Sequence, residues 1–230
     1  MRNRTEDKMK ITLIRHGMTK GNEEKRYIGT TDEDLSPSGV RALLEAKEAG
    51  LYPKADLLYL SPMKRCVQTA GLLYPGMEFC RVSSWKECSF GLFEGKNYLE
   101  LSGCREYQEW VDSGGTLPFP EGEDRAHFKE RCVGGFLHVM NQAAAKWNHE
   151  LQQVQKNLAM IVHGGTIMAV MEALGEPKGD YFDYQCANGG GFECVLITNG
   201  DVETEGRGGF DDAVQTERGC GWRLKIVRRL

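Results

Sequence analysis

The chain has 230 residues, 40% of them hydrophobic and 27% charged, with a net charge of −4. This length and balance suit one globular domain over residues 1–230 with a sizeable core. They exclude a small disulfide-stapled scaffold, a coiled coil and a chain disordered throughout, and a mildly acidic total does not favour general binding to nucleic acid or to anionic membranes.

The first ten residues are charged throughout, so residues 1–9 read as a solvated lead-in rather than a signal peptide. Ile11–Ile14 is a short, continuously apolar run, as expected of a strand covered on both faces. Ser36-Pro37-Ser38-Gly39 combines a capping residue with a proline in the first turn, and predicts a helix to about Ala49, stopped at Gly50. Leu57–Leu60 predicts a second buried strand, followed by a helix from Ser61-Pro62 to about Leu73, and a weaker strand is expected near Phe79 to Val82. Residues 88–122 have poor periodicity and many aromatics, and read as an insertion partly covering a site.

A long helix is expected from about Glu123 to Glu150, because Phe128, Cys132, Phe136, Met140 and Trp147 mostly step by four. Gly134-Gly135 should weaken it locally. Leu158–Val162 is a third buried strand, and a helix follows Gly165 to about Leu174. Asn188 to Gly191 is a glycine-rich turn, Cys194–Ile197 a fourth buried strand, Asn199 to Gly221 a flexible loop or loose hairpin, and Trp222–Val227 an alternating strand. Strands alternating with helices predict a three-layer α/β/α sandwich around a mostly parallel sheet. No run reaches the roughly 18 apolar residues of a membrane span. The eight cysteines form no C-x-x-C and no zinc-finger spacing, and read as free thiols.

The unusual residues fall at strand ends. Arg15-His16-Gly17 follows the first strand, Ser61 to Arg65 the second, and His163-Gly164-Gly165 the third. In an open parallel sheet, ligands bind beyond the carboxyl ends of the strands, so two histidines and two arginines converge on one crevice. Guanidinium groups suit phosphate oxygens, glycines let backbone amides approach, and helices starting there aim positive dipole ends at an anion. A neutral histidine in such a cationic pocket can act as a nucleophile, its pKa held down by the arginines. His127, His138 and His149 lie on the long helix without metal spacing and read as ordinary helix residues. No carboxylate cluster of the kind that holds Mg²⁺ is evident.

Leu13 to Asn22 contains Arg15-His16-Gly17, Thr19 and Asn22, and resembles the R-H-G-x-T-x-x-N signature of the histidine phosphatase superfamily, phosphoglycerate-mutase-like branch. Further matches follow in the family's order. They are Leu35-Ser36-Pro37-Ser38-Gly39, the block from Ser61-Pro62 to Ala70, Glu87 to Gly95, Pro120-Glu121-Gly122-Glu123, and Val162 to Gly165. The resemblance implies a phosphoglycerate-mutase-like fold. It implies His16 as nucleophile, Arg15, Arg65 and His163 as phosphoryl ligands helped by Asn22 and the Gly17 and Gly164 backbone, and Glu87 as proton donor and later base. It also places Thr30, within Arg26 to Asp32, beside the substrate. No cofactor and no metal is implied.

The resemblance implies a cytoplasmic phosphomonoester hydrolase acting on a small molecule, with no nucleic-acid or membrane partner, and leaves a homodimer open. The features before Leu35 and around Phe90 to Gly95 most resemble the α-ribazole phosphatase group of cobalamin assembly, which makes α-ribazole 5′-phosphate the first substrate expected. A broad-specificity or sugar-phosphate phosphatase is the alternative. A mutase is disfavoured by Phe90, which stands where mutases carry tyrosine, and by the lack of an adjacent arginine pair in the middle insertion. A non-catalytic phosphate-binding module is disfavoured because His16, Arg65, His163 and Glu87 are all present.

Overall fold

A computed structural model describes residues 9–150, 157–198 and 221–230, the side chains of 144–150 and 198 excepted. The expected lead-in, the loop or hairpin from Asn199, and the expectations for Trp147 and His149 therefore lie outside the described side chains. Seven strands form one sheet. They are β1 (Lys10–Arg15), β2 (Leu57–Leu60), β3 (Cys80–Arg81), β4 (Asn157–Val162), β5 (Gly175–Glu176), β6 (Gly191–Thr198) and β7 (Trp222–Arg229), in the order β3-β2-β4-β1-β6-β7-β5. All pairings are parallel except those of β6 with β1 and with β7, so β6 alone runs against the rest among the described residues.

The central strands are apolar on both faces because both faces are covered. On β4, Leu158, Met160 and Val162 pack with Trp85, Phe136, Met140 and Met171 on one side, while Ala159 and Ile161 pack with Leu43, Leu60, Cys66 and Leu73 on the other. The first face carries α5 (Arg125–Glu150) and α6 (Gly164–Leu174), and the second carries α2 (Pro37–Glu48) and α3 (Lys64–Leu73). This is the expected three-layer sandwich. Each fully buried aliphatic side chain on these strands contributes on the order of 1.5–3 kcal/mol.

Several boundaries differ for local reasons. The helix after β2 starts at Lys64, not at Ser61-Pro62. A proline disfavours helical backbone in the residue before it, so Ser61 stays out of the helix and its side chain is free for other use. The long helix starts at Arg125 because Asp124, not Glu123, caps it, accepting from Ala126 N (2.8 Å) and His127 N (3.1 Å). α6 starts directly after His163. The helix expected after Arg15-His16-Gly17 is α1 (Lys20–Glu23), a single turn capped by Thr19, whereas α4 (Arg105–Asp112), inside the aromatic-rich segment, was not anticipated. In that segment Phe93 is fully buried, with its ring centroid 5.3 Å from Tyr107 and 5.9 Å from both Trp110 and Phe119. Trp85 belongs instead to the main core, where its indole N–H donates to the Cys132 carbonyl (3.2 Å). Among the described residues, no helix is long and apolar enough to cross a membrane, and the seven described cysteines are free thiols.

Candidate active site

Adjacent parallel strands β2, β4 and β1 end side by side, and this brings the three sequence elements together. The strand pairing continues one residue past each end: His16 N donates to the Val162 carbonyl and Ser61 N to the Ile161 carbonyl, both at 3.0 Å. His16 and His163 then face each other edge-on, with ring centroids 5.2 Å apart. His16 Nδ1 lies 2.7 Å from the Gly17 carbonyl. A carbonyl only accepts, so Nδ1 carries the proton and Nε2 keeps its lone pair.

His163 is held from both ring nitrogens. Nε2 is 2.8 Å from Ser61 Oγ, and Nδ1 lies 3.4 Å from Arg65 Nε and 3.9 Å from Glu87 Oε2. Arg65 is buried. Its Nη1 donates to the Thr31 carbonyl (2.8 Å) and its Nη2 to the Gly29 carbonyl (3.0 Å). Glu94 braces that loop by accepting from Gly29 N (2.8 Å) and Thr31 N (2.9 Å). The loop must also pass close to the Glu87 segment, since a Cβ at Gly29 would fall 1.9 Å from the Cys88 carbonyl.

The other expected residues divide. Arg15 donates from Nη1 to the Cys186 carbonyl (2.8 Å), its Nε has no partner, and it lines the cavity. Asn22 lines the same cavity, with Oδ1 accepting from Thr19 N (3.2 Å) and Asn188 Nδ2 (3.0 Å). Gly164 opens α6, which His163 caps without a side-chain hydrogen bond, so the first-turn amides are left for a ligand. Gly17 is not among the residues lining the cavity, and its N donates to Thr69 Oγ1 (3.0 Å). Thr30 is exposed and is not among the residues lining the cavity; its neighbours' carbonyls, not its side chain, hold Arg65.

Asn188 was not anticipated. Its Nδ2 donates to the His16 carbonyl (3.2 Å) and to Asn22 Oδ1, tying two elements together. The glycine-rich turn that carries it was the only signal available. Among the described residues, no cluster of three or more His, Cys, Asp or Glu could hold a metal ion.

Burial does more than charge to tune this site. The pKa of His16 and that of His163 are both held well below 6.5, first by burial and then by Arg65 and, more weakly, Arg15; the neighbouring imidazole adds to the effect at His163. The arginines, which the sequence put first, come second. The Glu87 pKa is raised above 4.5 by burial, against the opposing pull of the Cys88 amide, Arg65, Arg15 and Arg131. Both imidazoles are therefore unprotonated when folded but take up protons near pH 6.5 when unfolded. Their contribution is complete above that pH and is lost as the pH falls, at up to about 1.4 kcal/mol per pH unit for each. Glu87 has the opposite sign, but it is one group against two and acts only from about 4.5 up to its raised pKa. Thermal melts from pH 7 to pH 5 are expected to show a falling Tm; a flat or rising Tm would contradict the neutral imidazoles.

The cavity beyond these groups measures about 550 Å³. Its polar lining includes Arg15, Asn22, Glu87, Arg125 and Asn188, and Tyr27, Phe90, Trp110, Phe119, Phe128 and Tyr181 supply much of the remainder. Residues 88–122 supply Phe90, Trp110 and Phe119. Two guanidinium groups, a helix start and an imidazole lone pair at one point suit a tetrahedral anion and its attack by nitrogen.

The chain is similar to several known proteins. A family model described as histidine phosphatase superfamily (branch 1) matches residues 11–203. The curated Hydrogenobacter thermophilus protein named "Putative phosphoserine phosphatase 2" is 30% identical over 167 residues, covering 70% of this chain and 76% of its own. A solved phosphoserine phosphatase from Entamoeba histolytica, in complex with 3-phosphoglyceric acid, is 25% identical with a TM-score of 0.66, over 84% of this chain and 92% of that one. The α-ribazole phosphatase from Shigella flexneri shares the fold at 19% identity and a TM-score of 0.65, over 83% of this chain and 91% of that one.

Proposed function

We propose, from the premise that the chain belongs to the histidine phosphatase superfamily and is a phosphatase, that it hydrolyses a small phosphomonoester through a phosphohistidine on His16. The observation that carries this is the His16 Nδ1 to Gly17 hydrogen bond, which leaves an unprotonated Nε2 in a buried pocket beside two guanidiniums. In the first step Nε2 attacks phosphorus, the bond to the ester oxygen breaks, and the Glu87 carboxyl passes its proton to that oxygen, so the alcohol leaves neutral. In the second, the Glu87 carboxylate takes a proton from water as the water oxygen attacks phosphorus and the N–P bond breaks. Arg15, Arg65, His163 and the first amides of α6 hold the phosphoryl oxygens, with Asn22 assisting. Phosphoryl transfer needs this positioning and charge neutralisation more than covalent chemistry. Glu87 suits the acid role because burial favours its protonated form. A cytoplasmic setting goes with this reading.

For the substrate, α-ribazole 5′-phosphate comes first, supported by the aromatic walls, which suit a flat ring on the leaving group. A second class, esters whose leaving group carries a carboxylate as phosphoserine does, is favoured by Arg125. Its guanidinium carbon sits 4.5 Å from the Tyr181 ring centre and 5.1 Å from that of Phe182 on the cavity wall, and it forms no ion pair among the described residues. Phosphate release with EDTA present, from α-ribazole 5′-phosphate, phosphoserine, 3-phosphoglycerate and p-nitrophenyl phosphate, separates these. A kcat/KM for α-ribazole 5′-phosphate at least about tenfold above the others is expected. Preference for the carboxylate esters, lost in Arg125→Gln, would move the assignment to the second class.

A further inference from the structure

The Glu87 carboxyl has little of its own to hold it. Oε1 accepts from the neighbouring Cys88 N (3.0 Å), and Oε2 comes no closer than 3.9 Å to His163 Nδ1. Its place is therefore set by the backbone of residues 84–89, and that backbone is gripped from α5. Arg131 Nη1 donates to the carbonyls of Ser84 (2.8 Å) and Lys86 (2.6 Å), and Nη2 to the carbonyl of Glu87 itself (3.2 Å). The other side of the guanidinium pairs with Glu123, Nε to Oε1 at 2.6 Å and Nη2 to Oε2 at 2.7 Å. Glu123 N in turn donates to the Ser89 carbonyl (2.9 Å). The guanidinium also lies 4.8 Å over the Phe128 ring, which fixes its plane.

Neither Arg131 nor Glu123 lines the cavity. Glu123 closes the Pro120-Glu121-Gly122-Glu123 element, to which the hydrolysis steps give no task. An arginine that fills its planar fork with three carbonyls and one carboxylate makes a rigid brace, which a flexible ammonium would not reproduce.

We propose that Arg131 and Glu123 are positioning residues for the acid: together they clamp residues 84–89 so that the Glu87 carboxyl stays within proton-transfer reach of the leaving oxygen. The inference rests on Glu87 being that acid. General acid catalysis needs the donor within hydrogen-bond reach, and a displacement of about 1 Å can cost on the order of a hundredfold.

The test compares two esters. An alkyl phosphate needs its leaving oxygen protonated, whereas 2,4-dinitrophenolate leaves unaided. kcat/KM reports the steps up to phosphoryl transfer. Glu87→Gln is the reference, expected to lose about 10²–10⁴-fold on the alkyl ester and little on the dinitrophenyl ester. Arg131→Gln and Glu123→Gln are expected to show the same pattern at about 10–100-fold on the alkyl ester and under about threefold on the other. Glu123→Asp should recover part of the loss. Circular dichroism and binding of inorganic phosphate check that each variant is folded, and the Glu123 pair carries the test if Arg131→Gln is not. Equal losses on both esters, or none on either, in the folded clamp variants would overturn the clamp while a leaving-group dependence in Glu87→Gln leaves the acid standing. Equal losses in Glu87→Gln would overturn the acid itself.

Discussion

His16→Ala is expected to lower kcat/KM by on the order of 10⁴ or more on every ester, activated or not, while the protein stays folded and still binds phosphate. The nucleophile differs from the acid in this respect, since no leaving group can replace it. His16 is buried, only 3% exposed, rather than in an open crevice, and it is not among the residues lining the cavity. Its removal nonetheless opens a polar void beside the Gly17 carbonyl, which water can fill. The lost hydrogen bond costs about 1 kcal/mol, small against a total stability of roughly 5–15 kcal/mol. Arg15 and Arg65 remain to hold the anion. Phosphate release and a thermal melt on the same preparation check both halves, and activity within tenfold of wild type would end the mechanism.

Arg65→Ala is expected to damage both activity and stability. Arg65 is 1% exposed, and its guanidinium serves the Thr31 and Gly29 carbonyls as well as His163. Deleting it removes a transition-state donor, for a loss of about 10³ or more in kcat/KM. It also leaves two carbonyls unpaired at the edge of a new cavity, for about 3–5 kcal/mol of stability and a Tm lower by on the order of 10 °C. Arg65→Lys keeps the charge but cannot span both carbonyls, so it should recover part of the activity and little of the stability. A folded Arg65→Ala protein with an unchanged Tm would show that the Gly29–Thr31 loop does not depend on this side chain.

The parts of the molecule legible in the sequence are those in which one residue type answers to one physical demand. The buried stretches of β1, β2 and β4 are apolar on both faces, Thr12 excepted, because helices cover both faces, and the Ser36 cap with Pro37 starts a helix. His16 and His163 were legible because each stands immediately after such a strand, with Arg15 ending β1 and Arg65 in the first turn of the helix after β2; Glu87 follows none of these strands and was reached through the family resemblance. What was missed depends on partners far away in sequence. β5 is two residues long and exists only through its pairing with β7. α4 lies in a segment whose aromatics mask any helical period. Backbone contacts are equally invisible: Thr30 looks like a ligand by type, yet the carbonyls on either side of it are what reach Arg65. Arg131 sits on a helix outside every motif, and only the folded positions of Ser84, Lys86 and Glu123 give it a role. The rank of causes at the imidazoles also needed the fold, because burial cannot be judged from neighbouring charges.

The most direct test of the phosphohistidine is to mix the enzyme with a ³²P-labelled alkyl ester, quench in base within one turnover, and map the label. Phosphohistidine survives base and is lost in acid, whereas phosphoserine behaves the opposite way. The account predicts base-stable, acid-labile label on the peptide containing His16, formed fast enough to support turnover and missing from His16→Ala. Turnover with no trapped phosphoenzyme, or label on the His163 peptide alone, would contradict it.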